Sequence, residues 1–199
     1  MRRIIFSFAV LALLAVHAPA RATDCTAHPA PITPPPDCPS IGDVCADGTV
    51  FAGWHPITHD HLFIPPTDQE KPGAPGTYTM QWKNAAVTDD VNPDSIDDGA
   101  ANHANRRGSI SDFPPFQACE KLSFGGYTDW YLPSQVELYY LWSVRSTVEA
   151  AGNITNFHDS YYWCSTESST RLAWAQFFPR GHQYSIDKTE TFRVRCVRH

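Results

Sequence analysis

The sequence predicts one compact α+β domain stapled by disulfides, on three observations. Two helical segments lie in its middle, a run of short strands follows them, and six cysteines (Cys25, Cys38, Cys45, Cys119, Cys164, Cys196) are spread through the chain. Residues 1–22 read as a secretory signal peptide: Arg2 and Arg3 precede an apolar run from Ile4 to Val16, and Ala20-Arg21-Ala22 is a small-residue cleavage site. The run is too short to cross a hydrocarbon core, which takes ~20 residues, and no comparable run follows, so no transmembrane segment is expected. Residues 23–44 are proline-rich and form a spacer arm without regular hydrogen bonding. The domain proper is expected over residues 45–199.

The domain opens with a turn at Asp47-Gly48 leading into a strand from Thr49 to Ala52. Residues 54 to 78 are rich in proline and glycine and read as a long loop. The stretch Trp82 to Val87 can form a short helix. An acidic loop follows, with Asp89, Asp90, Asp94, Asp97 and Asp98. Clustered carboxylates suit calcium, but the spacing misses the order of a calcium loop, so a solvated turn region is expected.

The first clear helix spans Pro115 to Leu122, with Phe116, Cys119 and Leu122 on one side and Gly125-Gly126 beyond its end. The second begins at a capping box, Ser134-Gln135-Val136-Glu137, in which each end residue's side chain bonds the other's backbone N–H. It carries Val136, Tyr139, Tyr140 and Val144 on an apolar side and stops at Gly152. Strands are predicted at Tyr161–Ser165, Leu172–Phe178, His182–Ile186 and Thr191–Arg198, with Pro179-Arg180-Gly181 as a hairpin turn. In the last strand Phe192, Val194 and Cys196 alternate with Arg193, Arg195 and Val197, which puts the cysteine inward and the arginines mostly outward. Cys119 and Cys196, both inward, are therefore expected to be bonded. The other four cysteines are expected to pair among themselves, tying the arm to the body through Cys164.

The chain as a whole is acidic, with a net charge of −6, which argues against a nucleic-acid partner. From Arg171 onward the balance reverses: Arg171, Arg180, Lys188, Arg193, Arg195 and Arg198 face only Asp187 and Glu190. A basic ribbon on an acidic body can steer an anionic ligand to one face.

The block Gly125-Gly126-Tyr127-Thr128-Asp129-Trp130-Tyr131-Leu132-Pro133-Ser134-Gln135-Val136-Glu137-Leu138, with Tyr162-Trp163-Cys164-Ser165-Thr166-Glu167 and Val194-Arg195-Cys196-Val197-Arg198 after it, resembles the bacterial Lcl C-terminal domain family. The resemblance covers about Cys45 to His199. It implies a C-type-lectin-like α+β fold on secreted or surface proteins, in a family named from a collagen-like adhesin that binds sulfated glycosaminoglycans. It brings no catalytic residues. Asp129, Trp130 and Pro133 match its motif, and the residues themselves read as structural: a carboxylate for turn N–H groups, a buried ring and a helix start. This chain differs at Cys164, where serine is usual, which implies an extra disulfide or a reactive thiol.

An enzyme is the least supported class. His55, His59, Asp60 and His61 offer an H-x-H pair but no completed ligand set, and Cys164 with His158 offers a thiol and a base six residues apart. No nucleophile elbow, zinc-binding helix or phosphate loop occurs, and neither cofactor nor metal is expected. The leading expectation is an exported ligand-binding or adhesion module, secreted, periplasmic or at the cell surface. Its ligand would be a glycan or anionic polysaccharide bound through the last strands, with Trp174, His182 and Tyr184 stacking on rings and Arg171, Arg180 and Lys188 holding anionic groups. A structural subunit of a surface oligomer, docked through its proline-rich arm, is the alternative.

Overall fold

In the chain's computed structural model, residues 33–84, 93–106 and 108–199 are described. The segment expected to be a signal peptide, Cys25, the first part of the expected arm, Asp89, Asp90 and the end of the Trp82–Val87 stretch lie outside them.

The fold is mixed α and β, with small antiparallel sheets. β1 (Val50–Trp54) pairs with β2 (His61–Ile64), and β3 (Met80–Gln81) pairs with β7 (Thr191–Phe192). A three-stranded sheet is ordered β4 (Tyr161–Glu167), β5 (Leu172–Phe177), β6 (His182–Asp187). The region expected to be one long loop thus contains β2, whose pairing with β1 shifts register between Phe51 and Gly53. Gly53 has φ +112, and a side chain there would run into the Tyr140 hydroxyl, which accepts the Trp54 N–H at 3.1 Å.

Two helices were expected; the described residues hold three α-helices. α2 (Pro114–Glu120) and α3 (Gln135–Ala150) match the predicted pair. The capping box is present, Ser134 N–H to Glu137 Oε2 at 2.7 Å and Glu137 N–H to Ser134 Oγ at 3.3 Å, and Gly152 ends the helix with φ +73. The additional helix, α1 (Gly99–Asn105), grows from the acidic loop because Asp98 caps it, accepting the Ala101 N–H at 2.7 Å.

β4 divides the interior. Tyr162 and Cys164 point to a core beneath α3, with Leu138, Leu141, Phe157 and Phe178, whereas Trp163 points to a core that includes α2, with Trp82, Phe116, Trp130 and Val194. The Cys119–Cys196 disulfide closes the second core as predicted, across a separation of 77 residues, and a loop of that length contributes about 4 kcal/mol. The pairing expected for the remaining cysteines is corrected. Cys38 bonds Cys45, and Cys164 is a free, buried thiol whose Sγ donates to the Trp174 carbonyl at 3.0 Å. Burial pushes that thiol up to about 12, which disfavours the thiolate form.

The predicted alternation of the last segment also fails. Val194 and Cys196 are buried, but so are Arg195 and Val197. The segment has neighbours on both sides: Arg193 bridges Tyr162, Val197 bridges Tyr131, and Arg198 bridges Phe63. The strand expected over Thr191–Arg198 is regular only at Thr191–Phe192, and beyond it Arg195 turns inward because Asp68 and the Pro65 and Thr155 carbonyls receive it.

Candidate functional site

Strand pairing places Tyr161 beside Phe177 and Phe177 beside His182, and likewise Trp163 beside Ala175 and Ala175 beside Tyr184. Directly opposed residues share a sheet face, so Tyr161, Phe177, His182 and Tyr184 stand on one side. Phe192 joins them. The Tyr161 ring lies 4.7 Å from Phe177, 4.8 Å from Phe192 and 6.1 Å from Tyr184. His182 is exposed, Tyr184 keeps 43% of its surface, and the others are half-buried. The result is a shallow aromatic platform, with exposed Arg180 in the hairpin turn at one end.

Of the six ligand-binding residues expected from the sequence, only part is brought together here. His182 and Tyr184 lie on the platform, linked by a 3.3 Å contact between Nδ1 and the hydroxyl. Arg171 is 81% exposed at the far end of the hairpin and pairs with Asp187 at 2.6 Å. Trp174 sits opposite Ser185 on the reverse face and packs on the core beneath α3. Lys188 is a correction: fully buried, it pairs with Glu167, donates to the Thr170 carbonyl at 3.2 Å and lies 4.5 Å from the Trp82 ring. No external ligand can reach its ammonium. Tyr161, Phe177 and Phe192 belong to the platform and escaped the sequence reading, although Tyr161 starts a predicted strand and Phe192 was assigned inward.

Two polar networks lie inside. Glu137, beyond closing the capping box, accepts Gly99 N–H at 3.0 Å and the Tyr131 hydroxyl at 2.7 Å, and meets His55 Nε2 at 3.2 Å. His55 Nδ1 accepts the Ile57 and Thr58 N–H groups, which puts a proton on Nε2 towards Glu137, and that bond raises the ring's pKa. Because Tyr131 gives its only hydroxyl proton to Glu137, it accepts from His199 Nδ1 at 2.6 Å. Burial works against the charged Glu137 carboxylate, but the bonds from His55, Tyr131 and Ser134 prevail and hold it below the usual glutamate value. In the second network Asp68 accepts from Arg195 Nε at 2.8 Å, Arg193 Nη1 at 3.0 Å and the Tyr162 hydroxyl at 2.8 Å. Fully buried Arg195 is further satisfied by the Pro65 and Thr155 carbonyls and covers the Phe157 ring. The Glu137 network and the Arg195 half of the second are structural arrangements, whereas the Arg193 guanidinium bonds Asp68 alone.

The motif residues keep structural roles, with one change of partner. Trp130 is buried, its Nε1 donating to the Phe124 carbonyl at 3.3 Å, and Pro133 precedes the cap and accepts from Ser165 N–H at 2.7 Å. Asp129 pairs with Arg198 at 3.0 Å instead of turn N–H groups, and that guanidinium lies 3.5 Å over the Tyr127 ring. The histidines of the H-x-H stretch are dispersed: His55 serves Glu137, whereas His61 meets the Thr33 carbonyl at 2.8 Å. Among the described residues one cluster has metal-ligand spacing, Asp37, Cys38 and Cys45, and both of its sulfurs are in a disulfide. In the acidic loop, Asp97 accepts from the Ser95 hydroxyl and Asp98 is spent on its cap.

These features define a disulfide-stapled α+β module with an open aromatic face. The chain belongs to the Lcl C-terminal domain family, whose sequence profile matches residues 71–198. Among solved structures it is similar to a fimbrial protein from Bacteroides ovatus, at 16% identity and a TM-score of 0.48, over 72% of this chain and 36% of that one. A comparison with curated protein sequences finds no match. No described helix is long and apolar enough to cross a membrane.

Proposed function

We propose that this chain is an exported ligand-binding or adhesion module, not an enzyme, which takes glycans on the aromatic platform of the β4–β6 sheet. On this reading the fold is C-type-lectin-like, and the mature protein works in the periplasm, at the cell surface or in the medium. The observation that carries the reading is the row of Tyr161, Phe177, His182 and Tyr184 on one face, with Tyr184 and His182 open to solvent. Flat rings that remain half-exposed can stack on the apolar face of a pyranose, and Arg180 beside them can bond acidic or sulfated substituents. Family membership supports the class of module.

A glycan array probed with the mature protein, with and without calcium, tests the proposal. Binding to a defined glycan set that persists in chelator is the expected result, and an empty array would overturn it. The alternative, a structural subunit, draws support from β6, which has β5 on one side and no strand on the other among the described residues. Light scattering that finds ordered multimers at micromolar concentration would favour that reading.

A further inference from the structure

On the side of β4 away from the platform, a cavity of about 300 Å³ opens between Thr67, Asp68, Tyr78, Thr155, His158 and Arg193. A second cavity, of about 520 Å³, shares Thr67, Asp68 and Tyr78 with it and continues past Glu70 towards Lys121. The smaller one is distinguished by its charge balance. One carboxylate, Asp68, serves two guanidinium groups, and the fully buried Arg195 takes one of its oxygens. The Arg193 guanidinium has a single hydrogen-bond partner among the described residues, Asp68 Oδ2, and the side chain keeps 18% exposure. One positive charge is left over, on a guanidinium that lines the cavity with N–H groups to spare. Glu70 does not line this cavity; it engages Tyr78 from the neighbouring one, where Lys121 also stands.

The remaining walls suit a ring. Arg193 lies 5.9 Å from the centre of the Tyr78 ring, which is 38% exposed, and Thr67, Thr155 and His158 line the rest. A space near the lower end of the ~300–1,000 Å³ range of small-molecule sites holds one ring and not an extended chain. A guanidinium fork matches a carboxylate better than a neutral hydroxyl.

We propose that this cavity binds a small carboxylate carried on a six-membered ring, the carboxylate on Arg193 and the ring against Tyr78. The site is independent of the aromatic platform and stands whether or not the platform binds glycans.

The test is calorimetric titration of the mature protein with benzoate and with glucuronate, each beside its methyl ester, in low-salt buffer. The expected result is one site per chain for at least one acid at millimolar concentration or better. Its ester should bind at least about tenfold more weakly, the scale of one lost charge-assisted hydrogen bond. Benzoate alone would identify aromatic acids as the ligand class, and glucuronate alone uronic acids. Arg193→Ala and Tyr78→Ala should each weaken binding about tenfold or more with an unchanged melting temperature, while Tyr184→Ala on the platform leaves it unaltered. Should Arg193→Ala fail to fold, Tyr78→Ala decides, because its side chain is partly exposed and Asp68 keeps both arginines. Silence from both acids, equal binding of acid and ester, or full affinity in a folded Arg193→Ala or Tyr78→Ala protein would overturn the proposal.

Discussion

The basic carboxyl-terminal stretch consists of two halves that look alike in sequence and behave oppositely in the fold. In the β5–β6 hairpin, Arg171, Arg180, His182 and Tyr184 are exposed, and the one ion pair of Arg171 is at the surface. From Lys188 onward the cations are withdrawn from the surface: Lys188 and Arg195 are fully buried, and Arg193 and Arg198 are held by Asp68 and Asp129. Charge density therefore does not mark the binding face. What separates the halves is where the counter-charges lie, since Lys188 and Arg195 meet Glu167 and Asp68 inside whereas Arg171 meets Asp187 from an exposed position.

Asp68→Ala attacks the buried half at its centre and has the largest expected effect. It leaves Arg195 buried without its carboxylate, which costs about 3–5 kcal/mol, measured by urea denaturation. A loss well below that would mean that the final segment is held by its apolar contacts alone. Acid should act next, through Glu137. Folded Glu137 releases its proton more readily than the unfolded chain, so its contribution is complete above the ordinary glutamate value of ~4.3 and is lost as pH falls through the lower folded value. Melting temperature against pH should drop in that window for the native chain and be flatter for Glu137→Gln. The hairpin pair contrasts with this, because the Thr189 N–H and hydroxyl, together with Arg171, push Asp187 down to about 2.

Gly181→Ala probes how the open half is anchored. Gly181 has φ +73 and abuts the Trp142 ring of α3, so the methyl should cost about 1–3 kcal/mol in thermal unfolding. A neutral result would mean that the hairpin turn is not fixed to the helix. The smallest effect is expected from Arg171→Ala. Its partner pair is exposed to salt and solvent, and stability should change by less than about 1 kcal/mol. A larger loss would erase the distinction between the halves.

The legible parts of this fold were those set by local chemistry. Ser134 and Glu137 define a helix start within four residues, Gly152 and Gly181 supply left-handed backbone, and the inward position of Cys119 follows from helical periodicity. The illegible parts depend on distant partners. α1 has a weak sequence for a helix and forms where Gly99 fits against Glu137, with any side chain there meeting Glu137 Oε2 at 2.5 Å and the Leu132 carbonyl at 2.7 Å. Lys188, in the turn after β6, goes inside because Glu167 on β4 receives it, and Arg195 because Asp68 lies waiting in a loop without periodicity. The site shows the same division. His182 and Tyr184 were readable as an exposed strand face, but joining Tyr161 and Phe177 to them required the pairing of three strands.

The central claim, that glycan recognition lies on the hairpin platform while the fully buried Lys188 and Arg195 serve the fold, is tested most directly by two variants measured in two assays. Tyr161→Ala/Tyr184→Ala and Arg195→Met are each assayed for melting temperature and for retention on the glycan surfaces that the native protein binds. The account predicts lost retention with a melting temperature within a few degrees of native for a platform variant, and a changed stability with native retention in the folded fraction for Arg195→Met. Full retention by the folded platform variant, or loss of retention by folded Arg195→Met alone, would contradict it.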